Sequence, residues 1–323
     1  MIFCKTQLQE KTAHTLHRGW KEIGRIDSIK PVEREPGVHS SNFIIETEYR
    51  RYLLKAVSEE EIAPLQEAVQ IQDYCYQRKA SVPRLFPRTD NGEWILCNNG
   101  CAWVLMEYCE VSPFQGKLTE VQAAADALAR LHTVLRGYNG SIAVRPRYCD
   151  LSIDEIQKFE RASCENSDTF HQQVVQFCKD WQKMMEQCRY PQRCSPTQPL
   201  HQDGHPGNVL FRSQDQAVIF DFAHILNHER MLAIAFSCHR FAGFDAYAVR
   251  AYLRAYHAVD PLLPEEIAAY PLFLAKECLR RIHFLLRLHF FDGDSSWNFE
   301  MERKLSVWRE AMDHRDQYGE VLT

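Results

Sequence analysis

The sequence predicts an α+β chain in two parts, an antiparallel sheet with one inserted helix followed by a mainly helical half. Three observations carry this. Runs rich in branched and aromatic residues, bounded by turn-forming residues, concentrate between residues 31 and 109. Apolar residues at helical spacing dominate after Val111. One short β-interruption, "NVLF" followed by "AVIF", stands among those helices. A chain of 323 residues also exceeds the usual size of a single core, so two units are expected, 1–110 and 111–323.

In order, Leu8 to Trp20 reads as a first helix. "NFIIET" and "YLLKAV" read as strands after the turn-rich "EPGVHSS", and a helix is expected from Glu59 to Gln77. "VPRLFPRTDNGEWIL" reads as extended chain, a turn and a strand, and "AWVLMEYCE" as a buried strand, giving a five-stranded sheet. "LTEVQAAADALARLHTVL" opens the helical half, with Thr119 the expected N-cap. "SIDEIQKFERA", "TFHQQVVQFCKDWQKMMEQC", "AYAVRAYLRAYHAV", the long segment from Pro264 and "WNFEMERKLSVWREAMDHR" continue it.

Composition is that of an ordinary globular protein, 45% apolar and 25% charged. A net charge of −5 argues against a nucleic-acid partner. No apolar run approaches the ~18–20 residues of a membrane span, and "MIFCKTQLQEKT" becomes charged too early for a secretory signal. The twelve cysteines contain no C-x-x-C pair and read as free thiols of a reducing compartment. The expected location is cytoplasmic.

The chemistry is concentrated in "LHQDGHPGNVLF". Its "NVLF" and the following "AVIF" form a hairpin with a five-residue connection. If Phe211 faces Ala217, Asn208 faces Phe220, and Asp203, Asn208 and Asp221 gather at its open end. An amide and a carboxylate are hard oxygen donors suited to Mg²⁺. A second carboxylate, Asp203, is left to orient a hydroxyl and accept its proton. That division of labour is the one phosphoryl transfer needs. Lys55, a cation in an apolar strand, suits the phosphates of ATP or GTP, with Glu67 on the next helix as its partner. Backbone groups from Glu107 to Cys109 suit an adenine edge.

These segments, with "HSSNFIIET", "WVLMEYCEV" and "ADALARLHTVL" in that order, make the chain resemble the aminoglycoside phosphotransferase, choline kinase and homoserine kinase group of protein-kinase-like small-molecule kinases. The resemblance implies a bilobal protein-kinase-like fold and Mg²⁺-assisted transfer of a γ-phosphoryl to a small-molecule hydroxyl. It implies Asp203 as base, Asn208 and Asp221 as metal ligands and Lys55 on the phosphates. Ser40 and Ser41 would lie in a phosphate-covering loop, and His201 would brace the catalytic loop. Three features depart from the family pattern: a single glycine, Gly37, in the phosphate loop; Ala223 after "DF"; and Ala233 near the position of a customary aspartate.

Candidate acceptor residues are His205, Asp245, Asp292, Asp294, Trp297 and Glu300, whose acids and aromatic ring suit a cationic acceptor. Arg240, Arg280 and Arg281 suit an anionic one, such as a hydroxy amino acid. A protein acceptor, a nucleotide-binding module without turnover, and a metal hydrolase using His201, Asp203, His205, Asp221 and His224 are the competing readings.

Overall fold

The computed structural model describes residues 13, 16–32, 41–98, 100–142, 153–165, 168–187, 197–291, 293–296 and 298–314. Its N-terminal part is a five-stranded antiparallel sheet in the order β1-β2-β3-β5-β4. The strands are β1 (Ile26–Pro31), β2 (Ser41–Thr47), β3 (Arg51–Ser58), β4 (Ile95–Asn98) and β5 (Cys101–Glu107). Of the first helix expected, residues 13 and 16–19 are helical and described.

The period-two pattern of β3 decides where its lysine goes. Tyr52, Leu54 and Ala56 point into a core with Trp20, Ile45, Phe43 and Trp103. Leu53 and Val57 belong to a second core, on the other face, that includes Leu65 and Val69 of α1 (Ile62–Gln77). Lys55 shares the parity of Leu53 and Val57 and therefore emerges under α1. The first turn expected of this helix, Glu59–Glu61, is 3-10 rather than α.

Two contacts tie the sheet region to the hairpin β7 (Val209–Ser213) and β8 (Gln216–Ile219). Ser112 and Phe211 exchange backbone hydrogen bonds of 2.8 and 2.9 Å. Ser81 Oγ donates to Ala217 O at 2.6 Å, and Ile219 N donates to Ser81 O at 2.9 Å. The hairpin pairs Phe211 with Ala217, but its turn is tighter than expected. Ser213 pairs with Gln216 across two residues, and an irregularity after Phe211 absorbs the difference. A second short pair was not foreseen: β6 (Thr197–His201) with β9 (Ile225–Glu229). Both strands are too short to show periodicity.

The helices are α2 (Leu118–Leu135), α3 (Ile153–Cys164), α4 (Thr169–Gln187), α5 (Met231–Ala242), α6 (Ala246–Val259), α7 (Pro264–Phe290) and α8 (Asn298–His314). α2 is the central one, and its buried Ala123, Ala124, Ala125, Ala127 and Ala129 let neighbours approach closely. Its N-cap position is Lys117, not Thr119. The buried Glu120 carboxylate accepts the backbone N–H groups of Gln115 and Lys117 at 2.8 and 3.2 Å, which fixes the helix start two residues earlier. Among the described residues no helix is long and apolar enough to cross a membrane, and the seven cysteines whose side chains are described are free thiols.

Candidate active site

β6 ends at His201 and delivers the loop 202–208 to the start of β7. Gly204 lies against α5, where an added Cβ would come within 3.3 Å of Ser237 Oγ. Asn208 folds back over the loop. Its side-chain amide donates to Asp203 Oδ2 at 3.0 Å and to Asp203 O at 3.1 Å. His205 Nδ1 accepts the Gly207 N–H at 2.9 Å, which places the ring hydrogen on Nε2. That nitrogen faces Asp203 Oδ2 at 3.5 Å. Asp203 Oδ2 is thus held from two sides, leaving Oδ1 for a reacting group.

Asp221 follows Phe220, whose N–H donates to Asn208 O at 2.8 Å. Its backbone is left-handed, φ 59° and ψ 80°, a conformation aspartate tolerates better than most residues. His201, fully buried, keeps it there: Nε2–H lies 3.0 Å from Phe220 O and 2.9 Å from Asp221 O. Asp221 Oδ1 accepts from Lys55 Nζ at 2.8 Å and from Ala223 N at 3.3 Å. The lysine's ion-pair partner is therefore this aspartate and not Glu67, a correction with a plain cause. α1 packs on the turn that follows Asp221, so the lysine emerging beneath α1 meets that carboxylate first. Glu67 lies where its charge raises the pKa of Tyr138.

Burial works against ionisation of Asp203. The hydrogen bond from His205, with the histidines around the site, outweighs it and holds the carboxyl well below the usual range. Asp221 is lowered in the same way, burial opposing and Lys55 prevailing. Both are anions at neutral pH. His201 is pushed down by burial and stays neutral.

The donor set fits Mg²⁺. Asn208 spends its N–H groups on Asp203, which turns its side-chain oxygen outward, and Asp221 retains Oδ2 after Lys55 and Ala223 have taken Oδ1. Two protein oxygens are what a site completed by phosphates and water requires. Among the described residues no three His, Cys, Asp or Glu side chains are grouped to hold a metal ion, which leaves the hydrolase reading without its ligand cluster.

On the nucleotide side, Ser41 opens β2, while Ser40 lies outside the described residues. Glu107 N–H is committed to Arg84 O at 2.8 Å. Cys109 N–H makes no backbone hydrogen bond among the described residues, and its buried thiol lies 3.5 Å from Arg212 Nη2.

The acceptor candidates divide. His205 stands beside Asp203, edge-on to Phe236 of α5 at 6.4 Å. Asp245 caps α6 by accepting Ala248 N–H at 2.7 Å. Asp294 accepts from Ser296 N at 2.9 Å and Ser296 Oγ at 2.5 Å, and Glu300 holds Arg303 with two bonds of 2.9 Å. Asp292 and Trp297 lie outside the described residues, as do the side chains of Arg280 and Arg281. Arg240 is exposed one turn beyond Phe236 and forms no ion pair among the described residues.

Sequence reasoning missed a buried polar network behind the loop. Ala233 is buried, and the start of its helix is anchored by Arg230 instead of an acid. Arg230 bonds Glu266 at 2.8 and 2.6 Å and Asp260 at 2.6 Å. Arg136 adds two bonds to Asp260, of 2.8 and 2.7 Å. Tyr256, beside Asp260, lies 2.8 Å from His132 Nδ1. The available signal was a pair of unlike charges, Arg230 and Glu266, bordering apolar helices.

Residues 31–270 match the family described as phosphotransferase enzyme family. A homoserine kinase of Zymomonas mobilis is 25% identical over 283 residues, 81% of each chain. One from Caulobacter vibrioides is 26% identical over 298 residues, 85% of this chain and 89% of its own. Among solved structures, an aminoglycoside phosphotransferase from Alicyclobacillus acidocaldarius superposes with a TM-score of 0.68 at 17% identity, over 93% of this chain and 92% of its own. An amicoumacin kinase in complex with AMP-PNP and Ca²⁺ gives 0.64 at 13%, over 97% and 94%. The fold is the bilobal protein-kinase-like one, and the chain belongs to the phosphotransferase enzyme family, as a small-molecule kinase whose acceptor is a hydroxyl group.

Proposed function

We propose that this protein transfers the γ-phosphoryl of ATP to the hydroxyl of a small hydroxy amino acid, homoserine being the first acceptor to test. The observation that carries the chemistry is the joint placement of Asp203, Asn208, Asp221 and Lys55. Lys55 and Asp221 come from opposite parts of the chain and close on each other where β- and γ-phosphates would lie. Mg²⁺ held by Asn208 and Asp221 would neutralise charge on those phosphates. Lys55, released from part of its bond to Asp221, would then turn to the α- and β-phosphates. Asp203 is too acidic to take a proton early, and its free Oδ1 suits it to orient the acceptor hydroxyl and collect the proton late. A loose phosphoryl-transfer transition state requires no more. We take the nucleotide-binding part to end near Glu110, with the acceptor site built from the remainder.

The acceptor class rests on two supports. The relatives matched over four-fifths of the chain are homoserine kinases. The described acids that favoured a cationic acceptor, Asp245, Asp294 and Glu300, are engaged in local structure, whereas Arg240, one turn from Phe236 beside His205, forms no ion pair among the described residues. An acceptor carboxylate would complement it. The test is an ATP-consumption assay against homoserine, small amino alcohols and aminoglycosides, with Asp203→Asn as the blank. Turnover with homoserine and an increase of about tenfold in its KM in Arg240→Gln are expected. Turnover confined to amino alcohols or aminoglycosides defeats the proposed class and leaves the kinase chemistry standing.

A further inference from the structure

Two imidazole nitrogens are buried without a partner in the same part of the molecule: His201 Nδ1 and His132 Nε2. Both rings are fully inaccessible to solvent. Their surroundings place them in one neighbourhood. α2 packs along β6. Leu128, one turn before His132 on α2, has its Cδ1 3.8 Å from where a Cβ on Gly204 would stand, three residues after His201 on the chain that leaves β6. Helix and strand therefore bring His132 to the side of the chain that carries His201. Gln198 of β6 also lies near this turn, its Nε2 3.5 Å from His132 O. The two rings are close enough that the charge of one lowers the pKa of the other.

Hydrogen positions follow from the partners. His201 uses Nε2–H for the carbonyls of Phe220 and Asp221, so its Nδ1 is an acceptor. Tyr256 Oη lies 2.8 Å from His132 Nδ1 but 3.4 Å from Asp260 Oδ2, whose charge is already met by Arg136 and Arg230. Donating the tyrosyl proton to His132 Nδ1 puts the imidazole hydrogen on Nε2, the atom that faces an acceptor. Buried polar nitrogens in native proteins are hydrogen-bonded to protein or to ordered water, and this tautomer satisfies both at once.

We infer that His132 is a positioning residue: its Nε2–H, through one buried water, holds His201, which in turn fixes the backbone of Asp221. The chain of contacts runs from the Arg230–Asp260 cluster through Tyr256, His132 and His201 to the aspartate proposed to bind the metal. It supplies the anchor behind the catalytic loop that Ala233 does not. The inference rests on the reading of Asp221 as a Mg²⁺ ligand.

The test is calorimetric binding of AMP-PNP to the full-length protein, with and without Mg²⁺, which needs no knowledge of the acceptor. His132→Leu keeps apolar bulk and removes both nitrogens. It is expected to weaken the Mg²⁺-dependent part of binding by about tenfold, the usual effect of removing a group that orients a metal ligand, while metal-free binding is unchanged. His132→Gln, whose amide reaches the Nε2 position, is expected to restore most of the loss. A purely space-filling role predicts a lower melting temperature in both variants and an unchanged Mg²⁺ dependence, and that result overturns the inference. If His132→Leu does not fold, His132→Gln and Tyr256→Phe decide it. Wild-type-like Mg²⁺ affinity in His132→Gln with a weakened one in Tyr256→Phe supports the relay, and wild-type affinity in both defeats it. Asp221→Ala run beside them separates the two failures. If it too leaves Mg²⁺ dependence unchanged, the metal reading falls; if it alone abolishes that dependence, only the role of His132 falls.

Discussion

The candidate site at the open end of the β7–β8 hairpin and the acidic segment at the start of α8 both set carboxylates near a histidine or aromatic in the sequence, yet the fold treats Asp221 and the acids of that segment in opposite ways. Asp221 is bonded to Lys55, 166 residues away, and its carbonyl to His201, 20 residues away. Asp294 and Glu300 are bonded to residues two and three positions along, and Asp245 to one three positions along. An acid tied to distant chain is held in place by the whole fold and can present a fixed lone pair. An acid tied to its neighbours closes a turn, caps a helix or decorates its surface.

The largest effect is expected at Asp203, whose carboxylate is held by Asn208 and His205, both near in sequence, so that it tests whether local ties alone mark an acid as structural. Asp203→Asn is expected to lower kcat by about 10²–10⁴-fold while sparing nucleotide affinity, measured by steady-state kinetics and AMP-PNP binding. Next comes Asp221→Ala, which should raise the Mg²⁺ concentration needed for half-maximal activity by about tenfold or more, because it removes one of the two proposed protein ligands. A Mg²⁺ titration of activity that matches the wild type would place Asp221 among the merely structural acids.

The buried histidines give a milder prediction. Burial lowers His132 to about 3. A group whose folded pKa is depressed binds fewer protons folded than unfolded between the two values. Its contribution to stability is therefore lost as pH falls from about 6.5 toward 3. Denaturant unfolding at pH 5 should give about 2 kcal/mol less stability from this residue than at pH 7. His132→Gln should flatten that slope, and an unchanged slope would mean another group sets it. The smallest effect is expected at Asp245→Ala: about 1 kcal/mol of stability from the lost cap, with kcat and KM for every acceptor unchanged. A changed KM would move Asp245 from the local class to the long-range one.

Much of this was legible beforehand because it depends on short-range pattern. The parity of "YLLKAV" gives the face of Lys55, and the Phe211–Ala217 register gives the gathering of Asn208 and Asp221. What could not be read depends on which distant surfaces meet. Lys55 looked nearer to Glu67 because both lie in one stretch of chain; only docking of α1 on the turn after Asp221 decides otherwise. The β6–β9 pair hides for the same reason, since Pro199 and the charged end of β9 disguise two five-residue strands. His132 carries no signal of its own in the sequence, and its place in the polar network appears only when α2 meets β6 and α6.

Gly204 adds a constraint that falls on the loop as a whole. Its Cα rests where one more carbon would press on Ser237 Oγ, and that hydroxyl is already engaged by Tyr252 at 2.7 Å. The loop therefore runs close over α5. A side chain at this position would press on that hydroxyl, and either Ser237 or the loop would have to give by a few tenths of an ångström. The height of Asp203 above α5 is thus coupled to a missing methyl on the residue next to it.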